Sequence, residues 1–127
     1  MPTKLLIVED QADIRRLVRW ALEGADYEIR EAVNGSAGLA EIQAWRPELV
    51  LLDMMMPGGM DGLTVCRQVR EAPETAHTLI VMLTAKAGSA EHDAARHAGA
   101  DYFLPKPFSP ARLAELLAAL LKQRQGH

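Results

Sequence analysis

A single cysteine, Cys66, is the whole thiol content of the chain. No internal disulfide can form, and the composition is consistent with a reducing compartment. Positive charge is also scarce: 14 lysines and arginines against 17 aspartates and glutamates leave a net charge of −3. No basic field remains to hold a nucleic-acid backbone by counterion release, so direct nucleic-acid binding is not expected. Long apolar runs are missing as well. The first, Leu5-Leu6-Ile7-Val8, gives way at once to Glu9-Asp10, too short for a signal peptide or a membrane span. Cytoplasmic residence, with no membrane contact, is the default. A Cys/His metal cluster is lacking too, because His92 and His97 are spaced off a single helix face. Those two, with His77 and His127, are read as facing solvent. No linker, repeat or low-complexity tract interrupts the 127 residues, a length that suits one domain.

What is present is an ordinary globular composition, 49% apolar and 24% charged, patterned as five pairs of short β-compatible runs and longer helical stretches. The runs are Leu5–Val8, Tyr27–Arg30, Leu49–Leu52, Leu79–Leu83 and Tyr102–Leu104. The first, third and fourth are apolar on both faces, as strands of a helix-covered parallel sheet must be. Ile14, Leu17, Val18, Ala21 and Leu22 form the stripe of a first helix, stopped by Gly24. A second is expected from near Ser36 to about Trp45, and a third around Val65, Cys66 and Val69, ahead of Pro73. Ser89 is placed to cap a fourth helix, rich in alanine (Ala90, Ala94, Ala95, Ala98) and therefore loosely held. The fifth has Ser109 as N-cap, Pro110 at its first turn, and the stripe Leu113, Leu116, Leu117, Leu120, Leu121. The fold class that follows is α/β: one (βα)5 domain built on a doubly wound, five-stranded parallel sheet.

In such sheets ligands bind beyond the carboxyl ends of the strands, where strand order reverses. Run one ends in Glu9-Asp10, run three in Asp53, run four in Thr84, and Lys106 follows the fifth, whereas run two ends in nothing ionisable. If strands one, three, four and five share the pocket, the order 2-1-3-4-5 follows, and Pro105 suits an edge strand. Each feature alone is ordinary, a turn acid, a helix cap or a solvated lysine. Together they bring three carboxylates close enough to repel unless a cation sits among them. Oxygen ligands suit Mg2+. A carboxylate facing such an ion, with a lysine and a hydroxyl nearby, is the equipment for phosphoryl transfer onto Asp53.

The segments Val8-Glu9-Asp10, Leu51-Leu52-Asp53-Met54-Met55-Met56-Pro57, Met82-Leu83-Thr84-Ala85, Gly99-Ala100-Asp101-Tyr102 and Lys106-Pro107-Phe108 come in the order and with the separations of one family. The chain resembles the receiver domain of two-component response regulators over essentially its whole length. That family's fold is flavodoxin-like with strand order 2-1-3-4-5, so the pocket argument and the resemblance are not independent. The resemblance implies that Asp53 accepts a phosphoryl group from a phosphohistidine of a sensor kinase or phosphotransfer protein. Asp10, Asp53 and the backbone carbonyl of Met55 would bind Mg2+, with Glu9 acting through water. Lys106 would pair with the phosphoryl group, and the Lys106-Pro107 bond would be cis. Thr84 and Phe103 would form the switch. Phe103, having no hydroxyl, would depend on packing alone for its two positions. The face made by helix four, strand five and helix five would then bind a downstream protein or an output domain, or a second copy as a phosphorylation-dependent homodimer.

Some features depart from the family or stay open. The loop Pro57-Gly58-Gly59-Met60-Asp61-Gly62 is one residue longer than usual, and its paired glycines are expected to make it mobile. Met55 and Lys86 stand where the family tunes acyl-phosphate lifetime, and Lys86 either reaches the phosphoryl group or is solvated. Arg15, Arg16 and Arg19 flank the first helix and read as a hydrated face more readily than as a kinase-docking patch. Residues 1–122 are taken as the receiver domain and 123–127 as a polar, fraying tail, either of a stand-alone receiver or of one cut from a longer regulator or hybrid kinase. The chain would be no enzyme beyond its own phosphorylation and dephosphorylation. An aspartyl-nucleophile phosphohydrolase would carry a second aspartate at the Met55 position. A flavin-phosphate carrier would not place acids at the end of strand one. A phosphorylation-independent interaction module would not need the full set of site residues.

Overall fold

The computed structural model describes residues 2–56, 58–85 and 88–125. Five strands and five helices alternate: β1 (Thr3–Val8), α1 (Ala12–Ala21), β2 (Tyr27–Ala32), α2 (Gly35–Trp45), β3 (Leu49–Asp53), α3 (Gly62–Glu71), β4 (Leu79–Thr84), α4 (Ser89–Ala98), β5 (Tyr102–Pro105) and α5 (Pro110–Gln125). All pairings are parallel and the sheet order is β2-β1-β3-β4-β5. This is the doubly wound arrangement expected from the sequence.

The apolar strands supply both cores. Alternate residues of a strand point to opposite faces, so Leu6, Val8, Val50, Leu52, Ile80 and Met82 pack with Ile42, Val65, Cys66, Val69 and Ala95 of α2, α3 and α4. Their neighbours Leu5, Ile7, Leu49, Leu51, Val81 and Leu83 pack with Val18 of α1 and Leu113, Leu116 and Leu117 of α5. Gly38 lets α2 lie on β1, since a Cβ there would sit 2.7 Å from a methyl of Val8.

Helix ends follow side-chain chemistry. Asn34 caps α2 by accepting from the Ala37 N–H at 2.8 Å, and Asp61 caps α3 through the Thr64 N–H at 2.9 Å. Ser109 caps α5 as expected, with the Arg112 N–H donating to its hydroxyl at 3.0 Å. Gly24 is left-handed at φ 88°, but α1 ends before it, and Leu22 serves as C-cap while staying buried. Ser89 is a correction: it is the first residue of α4, and Gly88 holds the cap position without a side-chain bond. Its hydroxyl therefore lies one residue too late to cap. Ala95 and Ala98 are buried whereas Ala90 is exposed. The segment 123–125, assigned to the tail from its polarity, continues α5. Gly126 and His127 lie outside the described residues.

Candidate functional site

The four strand ends that the sequence singled out do converge. Asp53 closes β3 and is 3% exposed, Glu9 follows β1 and is fully buried, and Thr84 closes β4, also fully buried. Asp10 is exposed at the mouth. Glu9, Asp10 and Asp53 each offer a carboxylate oxygen within 4.8 Å of the others. Lys106 reaches in from beyond β5, its Nζ 2.7 Å from Glu9 Oε1 and 3.5 Å from Asp53 Oδ1. Its backbone N–H donates to the Thr84 carbonyl at 2.6 Å, which ties the lysine to the end of β4. The Lys106-Pro107 bond is cis.

Local packing explains why Asp53 stays in place. The Met55 N–H donates to Asp53 Oδ1 at 3.2 Å, and the Met54 N–H to the Leu83 carbonyl at 2.8 Å. Gly62 opens α3 directly beneath, where any Cβ would collide with the Asp53 carbonyl. Glycine there is a packing requirement.

Electrostatically the pocket is over-supplied with negative charge. Burial pushes the Asp53 carboxyl up, the Glu9 carboxylate pushes it further, and Lys106 only partly compensates, leaving it at about 7. Glu9 Oε2 accepts the Gln11 N–H at 3.1 Å. Glu9 Oε1, although close to Lys106, is buried with no directed hydrogen bond. Three acids against one ammonium group leave a surplus of negative charge that suits a hard divalent cation. The all-oxygen donor set fits Mg2+. The same acids would repel the phosphate of a flavin, and Met55, 63% exposed, supplies no second carboxylate for a phosphohydrolase.

Other expected residues are placed less centrally. Phe103 is half-buried on β5, and His92 of α4 meets it edge-on, ring centroids 5.1 Å apart at 88°. His92 is exposed, as expected, yet it touches the proposed switch residue, a contact that no spacing rule signals. Lys86 and Pro57 lie outside the described residues, whereas Gly58 is left-handed at φ 105°. Sequence reasoning also missed Arg15 as part of the site's framework. Its Nη1 donates to the Glu9 carbonyl and its Nε faces Glu31, each at 2.8 Å. Burial alone would raise the Glu31 carboxyl, but the guanidiniums of Arg19 and Arg15 outweigh it and hold the group below its ordinary value. The sequence shows arginines at i and i+4 on α1, but not that Glu31 of β2 lies against them.

Comparison with known proteins places this geometry. The profile of the family described as "Response regulator receiver domain" matches residues 5–118. The chain is 46% identical over 121 residues to the transcriptional regulatory protein ResD of Bacillus subtilis, covering 95% of this chain and 49% of that protein. Among solved structures, the chemotaxis protein CheY4 of Vibrio cholerae superposes with a TM-score of 0.86 at 32% identity, covering 94% of this chain and 98% of that one. A CheY-like receiver domain protein of Methanospirillum hungatei gives a TM-score of 0.90 at 26% identity over 99% and 98%. The chain spans about half the length of the curated relatives it matches. No helix among the described residues is long and apolar enough to cross a membrane. With five parallel strands in the order 2-1-3-4-5 and an acid-lysine pocket at their carboxyl ends, the chain belongs to the receiver-domain family of two-component response regulators.

Proposed function

We propose that Asp53 is the phosphoacceptor of this receiver domain, taking a phosphoryl group from a phosphohistidine of a sensor kinase or phosphotransfer protein. An Asp53 carboxylate oxygen attacks phosphorus in line, the P–N bond to the donor imidazole breaks, and the ring nitrogen leaves with the electron pair. The observation that carries this reading is the meeting of Glu9, Asp10 and Asp53 oxygens within 4.8 Å beside the Lys106 ammonium.

Asp10, Asp53 and the Met55 carbonyl would hold Mg2+, with Glu9 reached through water. Bound there, the ion offsets the charge of the acids and of the phosphoryl oxygens. Lys106 lies nearer Glu9 than Asp53 in this state and would turn its charge to the phosphoryl group once Asp53 is modified. Thr84, at the end of the adjacent strand, would donate its hydroxyl to a phosphoryl oxygen, and Phe103 would take up the space vacated. The α4-β5-α5 face would report the change to a downstream protein, an output domain or a second copy of the chain. Chemistry is confined to the protein's own acyl phosphate, and the setting is the cytoplasm.

The test is intact-protein mass after incubation with a small-molecule phosphodonor and MgCl2. One added phosphoryl group is expected, absent with chelator and absent in Asp53→Asn. A gain that survives that substitution assigns the acceptor elsewhere.

A further inference from the structure

The three α1 arginines are not equivalent. Arg16 pairs with Asp13, one turn back on the exposed face. Arg15 is only 17% exposed, and its planar fork spans two partners: Nε faces Glu31 Oε1 on β2, and Nη1 donates to the main-chain carbonyl of Glu9. Arg19 occupies the other Glu31 oxygen and donates to the Ile29 carbonyl at 3.4 Å. Glu31 is thereby held at both oxygens and braces Arg15 from the strand side.

The main chain of Glu9 is in turn fixed at both ends. Its N–H donates to the Ala32 carbonyl at 3.0 Å, and its carbonyl accepts from Arg15. With the backbone pinned, the Glu9 carboxylate is left to face Lys106, and the bend continues directly into Asp10. Charge-assisted bonds to a main-chain carbonyl are strong and directional. A lysine could not make both contacts from one planar group.

We infer that Arg15, braced by Glu31, is a positioning residue for divalent-cation binding, holding the Glu9-Asp10 bend so that both carboxylates converge on Asp53. The inference rests on the reading that these three acids hold Mg2+. It makes a claim opposite in sign to simple electrostatics. Arg15 is a cation near a cation site, so as a bare charge its removal would tighten Mg2+ binding. As a positioning group its removal weakens binding, as loss of a partner behind a metal ligand does.

The experiment is calorimetric titration of the full chain with MgCl2, comparing the parent with Arg15→Gln, Arg15→Lys, Glu31→Gln, Arg16→Gln and Asp10→Asn. Arg15→Gln is expected to weaken binding on the order of tenfold. Arg15→Lys and Glu31→Gln should fall between it and the parent, and Arg16→Gln should match the parent. Arg15→Lys keeps the charge and loses the planar fork, so weaker binding there, which charge alone does not produce, decides the matter if Arg15→Gln does not fold, and parent-like binding in Arg15→Lys overturns the inference. Parent-like or tighter binding in Arg15→Gln, or unchanged binding in Glu31→Gln, overturns the inference while leaving the metal reading intact. A parent chain with no saturable Mg2+ binding that Asp10→Asn diminishes overturns both.

Discussion

At the scale of single residues, Asp53 makes the stability of the metal-free protein depend on pH. Its folded-state value of about 7 lies above the ~3.9 of an unfolded aspartate. Between the two the folded chain holds the extra proton, so stability contributed by this group falls as pH rises from ~4 to ~7 and is level above. Replacing it by asparagine removes a buried charge set against Glu9. In chelator at pH 8, Asp53→Asn is therefore expected to be more stable than the parent by on the order of 2 kcal/mol, with a flatter pH profile in urea denaturation. Identical profiles for the two proteins would mean the group titrates normally. These residues were legible because each ionisable side chain sits at a strand end, where parallel-sheet topology gathers them. Arg15 was not, because an arginine on an amphipathic helix reads the same whether hydrated or paired, and its partner Glu31 is remote in sequence.

At the scale of elements, α4 and α5 differ in what they bury. Among the described residues of α4 only Ala95 and Ala98 are buried, whereas α5 buries Leu113, Leu116 and Leu117. Burial stabilises roughly in proportion to apolar area. Amide exchange by mass spectrometry is expected to protect α4 peptides least and α5 peptides more, and equal protection would show that contacts such as His92 with Phe103 hold α4 harder than its alanines do. The carboxyl end of α4 has a separate anchor. Arg70 of α3 donates to the Gly99 carbonyl at 2.8 Å and the Thr78 carbonyl at 2.6 Å, and meets Asp101 at 2.7 Å. Asp101 also accepts the Ile80 N–H at 2.8 Å. Arg70→Ala should cost about 2–3 kcal/mol in equilibrium unfolding, and a loss near zero would make these contacts surface decoration. The existence of both helices was readable from periodicity. The start of α4 was not, because Gly88 and Ser89 both accommodate a cap position.

At the scale of the whole molecule, ligand linkage is the most direct check on the pocket. An ion that binds only the folded chain raises stability by about 2.7 kcal/mol at one hundred times its Kd. Saturating MgCl2 should thus raise Tm by several degrees in the parent and by much less in Asp10→Asn. Equal shifts in both would point to nonspecific salt effects. Strand order was legible because strands one, three, four and five end in chemistry and strand two does not. The two layers of packing were not legible, since runs apolar on both faces do not say which residue faces which helix. The margins of the sheet add a final point. One outermost strand, β2, carries Glu28, Arg30 and Glu31, and the other, β5, spans Tyr102–Pro105 and ends in a proline with no N–H. Neither rim offers a good template for main-chain pairing with a further chain. Copies of this protein should therefore meet through side chains on their helices and resist growing into ribbons.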